Sequence, residues 1–134
     1  MSIQRTMKRS AWETADGSRI FHADWALCEN GRELLSVEET ADGKDVRLLL
    51  TGVLRSDTLH FFKDELMALA TADADILLDC SGLTAISNSC QIGMIETQQL
   101  MDTIGRGTMT LVGLPPEILK DFQSTGVAGS LMIE

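Results

Sequence analysis

Cysteine is scarce in this 134-residue chain. Cys28, Cys80 and Cys90 are odd in number and none has Cys-x-x-Cys spacing, which argues against a disulfide framework and a zinc site. No apolar run reaches the roughly 20 residues that span a bilayer. The leading Met1-Ser2-Ile3-Gln4-Arg5-Thr6-Met7-Lys8-Arg9 is basic but is not followed by the apolar stretch of a signal peptide. A cytoplasmic location is the default expectation. Phosphate-cradling motifs are missing: there is no GxGxxG and no P-loop, and Gly105-Arg106-Gly107 reads as a turn. His22 and His60 stand far apart without metal-ligand spacing. The carboxylates show no spacing that singles out a general acid–base pair. The expectation is therefore a protein without catalytic residues, cofactor or metal. Positive charge is also in short supply, with 11 Lys plus Arg against 20 Asp plus Glu and a formal net charge of −9. Such a surface disfavours nucleic acid and anionic lipid as partners, and it also serves solubility.

What is present is a change of period along the chain. Glu13-Thr14-Ala15-Asp16-Gly17 recurs as Glu39-Thr40-Ala41-Asp42-Gly43, and each Asp-Gly can supply a tight hairpin turn. The second copy is the stronger hairpin, with Glu33-Leu34-Leu35-Ser36-Val37-Glu38 leading in and Val46-Arg47-Leu48-Leu49-Leu50 leading out. The first is a weaker hairpin around Trp12 and Ile20-Phe21. Beyond Gly52, Ser56 or Asp57 can cap a helix that carries Leu59, Phe62, Leu66 and Leu69 at helical spacing. Ile76-Leu77-Leu78 reads as a short buried strand. A second helix is expected from near Ser89 to Ile104, closed by Gly105 and Gly107. Met109 to Val112 is a further strand, Pro116 opens a third helix with Ile118, Leu119 and Phe122, and Leu131-Met132-Ile133 is a last short strand. This order predicts an α/β fold with a mixed sheet of four to five strands and helices packed on it. Residues 1–30 form an extension with a hairpin signal and residues 31–134 the main domain. Leu49, Leu77, Leu111 and Phe122 are expected in the core.

From about residue 34 onward the sequence resembles the STAS domain family, in particular its anti-sigma factor antagonists. The resemblance rests on Leu48-Leu49-Leu50-Thr51-Gly52, on Ile76-Leu77-Leu78-Asp79-Cys80-Ser81-Gly82-Leu83, on Asn88-Ser89-Cys90-Gln91-Ile92-Gly93, on the strand and Pro-initiated helix that follow, and on Thr125-Gly126. Asn88 stands where the family has Asp, Gln91 where it has a small Gly, and Val53 and Arg55 where an acidic pair often follows the first Gly. The resemblance implies a bacterial regulatory binding module acting in transcription. It would bind an anti-sigma factor or serine kinase, be reset by a cognate phosphatase, and admit a homodimer. The other implied reading is a non-phosphorylated STAS accessory subunit bound to a transporter ATPase of lipid trafficking.

Under the first reading Ser89 is the phosphorylated residue. A hydroxyl at a helix N-terminus is well placed for an added anion, although a serine there can also be a plain cap. The implied partner-binding residues are Ser87, Asn88, Ser89, Cys90, Ile92 and Gly93. The loop before them and the segment after Gly52 are expected at the same sheet end, and Ile86 and Ile92 are expected to anchor the partner. Asn88 reads either as a partner contact or as a turn residue. Cys90 reads as a buried, inert thiol, or as a thiol activated at the helix N-terminus.

Overall fold

The computed structural model describes residues 2–15 and 17–134. Its chain order is β1 (Ile3–Ala15), β2 (Ser18–Glu29), β3 (Arg32–Asp42), β4 (Asp45–Leu54), α1 (Leu59–Thr71), β5 (Asp75–Ile86), α2 (Asn88–Ile104), β6 (Thr108–Val112), α3 (Pro116–Thr125) and β7 (Met132–Ile133). All seven strands lie in one sheet in sequence order, so the sheet is wider than the four to five strands expected. β1 to β4 form an antiparallel meander, whereas β4 to β7 are parallel neighbours. Between Asp42 and Asp45 the turn uses Gly43 at φ +60°. In the first hairpin turn Gly17 has φ +79°, and Asp16 lies outside the described residues.

Three consecutive strand–helix–strand units step the sheet in one direction. Right-handed crossovers then place α1, α2 and α3 on the same face. The burial pattern agrees: Val46, Leu48 and Leu50 of β4, Ile76, Leu78 and Cys80 of β5, and Met109 and Leu111 of β6 point into the core. Phe62 and Leu66 of α1, Met94 and Met101 of α2, and Ile118 and Phe122 of α3 meet them from above. Two core expectations are corrected here. Leu49 and Leu77 are half-buried on the opposite, uncovered face, paired into the same rows as Asp79 and Arg47. Leu111 and Phe122 are fully buried, as expected.

Local chemistry explains the remaining differences. Neither Ser56 nor Asp57 caps α1. A 3-10 turn over Ser56–Thr58 comes first, where the buried Thr58 hydroxyl accepts from the Arg55 amide and donates to the Arg55 carbonyl. β5 runs far beyond Leu78, because β4 pairs with it as far as Leu54 opposite Ile86. Within it Asp79 accepts hydrogen bonds from the Ser81 amide and hydroxyl and from Arg47. The Ser81 hydroxyl above all, with Arg47, holds the Asp79 carboxyl below its usual range. Close packing fixes Gly52: at φ +117° an added Cβ would sit 2.3 Å from the Leu34 carbonyl oxygen.

Candidate partner-docking site

The carboxyl ends of β4 and β5 and the N-terminus of α2 meet at one end of the sheet, where α/β proteins commonly place their sites. The Ser87 amide donates to the Leu54 carbonyl at 2.8 Å, fastening the start of α2 to the end of β4. Ser87, not Ser89, is the N-cap: its backbone is extended and its Oγ accepts from the Cys90 amide at 3.3 Å. The two hydroxyls are 3.1 Å apart, so Ser89 sits in the first turn, half-buried against the cap. Between the strand ends lies an open depression of about 590 Å³, bordered by residues 53–57 and 85–87.

The helix phase divides the six residues expected to meet a partner. Cys90, Gln91, Gly93, Met94, Thr97 and Met101 face inward. Asn88 is exposed, and Ile92 is a large apolar side chain left 54% exposed. Ser87, Asn88, Ser89 and Ile92 therefore share one accessible surface. Cys90 and Gly93 lie beneath it. The Cys90 thiol donates to the Arg55 carbonyl, and burial, the largest cause, raises its pKa, with the Asp57 charge adding to it against the Ser87 hydrogen bond. This thiol is accordingly a packed, protonated group and not an activated one. A Cβ on Gly93 would lie 2.9 Å from Leu59 Cδ1, so glycine there lets α1 approach α2. Ile86, expected as an anchor, is nearly covered at 9% exposure.

Two contributors stood out in the sequence only as departures from the family pattern, with no role attached. Arg55 pairs with Asp57 in two contacts, one from Nε at 3.0 Å, and reaches Glu29 at 3.9 Å. Far from α2 in the chain, it is brought beside the start of that helix by the parallel β4–β5 register, where its carbonyl accepts from the Cys90 thiol. Gln91 is buried, and its amide donates to the Ile86 carbonyl and to Asp121 of α3. No carboxylate stands in the first turn of α2. Among the described residues no helix is long and apolar enough to cross a membrane, and no cluster of His, Cys, Asp or Glu has metal-binding geometry.

Comparison with known proteins places the architecture. The Thermotoga maritima protein TM1081 superposes with TM-score 0.63 at 16% identity, covering 71% of this chain and 82% of its own. An anti-sigma factor antagonist from Mycobacterium paratuberculosis gives TM-score 0.61 at 9% identity, covering 74% and 84%. The unphosphorylated anti-sigma factor antagonist SpoIIAA gives 0.57 at 16% identity, covering 68% and 80%. Its phosphorylated Bacillus form gives 0.53, also at 16% identity, covering 68% and 83%. No curated protein matches the sequence. The profile described as "Mlab, STAS domain" matches residues 37–134, from within β3 to the last residue, and with it this chain belongs to the STAS domain family.

Proposed function

We propose that this STAS domain is a cytoplasmic, non-enzymatic regulatory module of the anti-sigma factor antagonist type. It meets a protein partner through Ser87, Asn88, Ser89 and Ile92 and the adjoining depression at the ends of β4 and β5. The observation that carries this reading is the exposed Ile92 beside a half-buried Ser89 at the head of α2. An apolar side chain in a hydroxyl-rich rim suits a small, reversible interface. A serine kinase partner modifies Ser89 and a cognate phosphatase resets it. The added phosphate brings about −1.5 to −2 charges. It displaces the Ser87–Ser89 hydrogen bond and sets an anion in the middle of the docking surface. The α2 N-terminus tolerates that anion within the fold, so the charge acts on the partner and not on stability. Intact-mass analysis and phosphosite mapping of protein from its native cell test the switch. Phosphate on Ser89 is expected, and its absence under every growth condition would remove the kinase from the account.

A second reading is favoured by Asn88, which stands where the phosphorylated type has an acid. Here the same surface seats the domain on a transporter ATPase of lipid trafficking, with no modification. Co-purification with transporter subunits together with an unmodified Ser89 selects this reading.

A further inference from the structure

The charge of this chain is divided unevenly. The outer hairpin, residues 3–29, carries four Lys and Arg and four carboxylates, net 0, whereas residues 30–134 carry seven and 16, net −9. The hairpin is thus the neutral part of an acidic chain. On its helix-side face the Arg19 guanidinium lies 4.2 Å from the centre of the Trp12 ring. The Phe21 ring packs on that indole at 5.0 Å, and Trp12 is 57% exposed. Strand pairing puts Trp12, Phe21, Ala41 and Val46 in one row, and Val46 is core, which fixes the side of the sheet. No described carboxylate pairs with Arg19. The result is a cation held over an exposed aromatic knob.

The opposite face of the same sheet carries the complement. It has no helix on it, and two adjoining hollows of about 410 and 300 Å³ share Thr40 and Arg47. Their floor includes the half-buried Leu49 and Leu77, and their rim includes Glu38, Asp42 and Asp45, together with Arg9 and Arg47, which are already paired with Asp24 and Asp79. Among the described residues Glu38, Asp42 and Asp45 have no Lys or Arg partner. The knob and the hollow lie on opposite sides of one sheet, so a chain's knob cannot enter its own hollow. We propose that they join two copies of this chain: the Arg19–Trp12 knob of one copy docks on the Leu77-floored, Asp42- and Asp45-rimmed hollow of another. Charge complementarity selects this occupant, because packing two hollows face to face would oppose carboxylate to carboxylate. The contact lies at the sheet end remote from Ser89 and leaves the partner surface free.

Light scattering on the full chain over a concentration series provides the test. At low salt the mass should rise above 14.6 kDa. It should return to the monomer at about 0.5 M salt, where the Debye length falls to a few ångström. Arg19→Glu alone and the pair Asp42→Lys, Asp45→Lys alone should each weaken association at least about tenfold. Mixing the two variants should restore it, since each reversed knob then meets a reversed hollow. A wild type that stays monomeric into the millimolar range overturns the proposal, as does association indifferent to salt. Folded variants, judged by far-UV circular dichroism, that associate like wild type or fail to rescue each other do the same. If either variant unfolds, the salt dependence of the wild type decides.

Discussion

The side-chain amide of Gln91 donates to an Asp121 carboxylate oxygen at 2.9 Å and to the Ile86 carbonyl at 3.3 Å. One buried group thus ties the first turn of α2, the end of β5 and the middle of α3 together. Gln91→Ala leaves the Ile86 carbonyl without this donor and opens a gap, and should cost about 1–3 kcal/mol. Asp121→Ala, at a more exposed position, should cost about 1 kcal/mol. A double-mutant cycle by denaturant unfolding checks that the two losses are not additive.

The uncovered face sets the next expectation. Leu78→Ala empties a fully buried site and should cost about 2–5 kcal/mol. Its neighbour Leu77 is half-buried on the open side, so Leu77→Ala should cost under about 1.5 kcal/mol. Denaturant midpoints of the two variants measure the difference. Equal losses would mean that something covers the open face in solution.

A pH dependence follows from Glu39 on the helix side of β3. Burial, reinforced by the neighbouring Glu65 carboxyl and opposed by Arg5, raises its pKa to about 7. The folded state holds this proton more tightly than the unfolded chain, so its stabilising effect is complete below about pH 4.5. It is lost as pH rises through about 7. Glu39→Gln should flatten that part of the profile and raise the melting temperature at pH 8 relative to wild type. Thermal melts from pH 5 to 8 read this directly, and an unchanged slope would place the titration elsewhere.

The period switch after Gly52 was legible because it depends on local spacing: Leu59, Phe62, Leu66 and Leu69 repeat as a helix does, and Pro116 opens α3 where it should. The bare face was not. Leu48-Leu49-Leu50 and Ile76-Leu77-Leu78 are unbroken apolar runs, and they carry no alternation to say which side the helices cover. Crossover handedness decides that, and it is a property of the whole sheet. The second half of β5 was hidden for a related reason. Asp79, Ser81 and Gly82 are poor strand formers, and the parallel register with β4 holds them extended. At the candidate docking site the stretch around Ser89 was legible as a helix start. Its phase was not, because the side of α2 that meets the sheet and α1 is set by tertiary packing. That packing turns Cys90 and Gly93 inward and leaves Ile92 outward.

The central claim is that the head of α2 is the partner surface. Titration calorimetry of the wild type, Ile92→Arg and Ser89→Asp against the partner proposed above, a serine kinase or a transporter ATPase, tests it most directly. Ile92 is exposed, so its replacement should leave the melting temperature within about 2 °C while weakening binding by more than about a hundredfold, as loss of a central apolar anchor does. Ser89→Asp should weaken binding to the kinase as well. Full affinity in a folded Ile92→Arg variant would contradict the account and move the interface away from this end of the sheet.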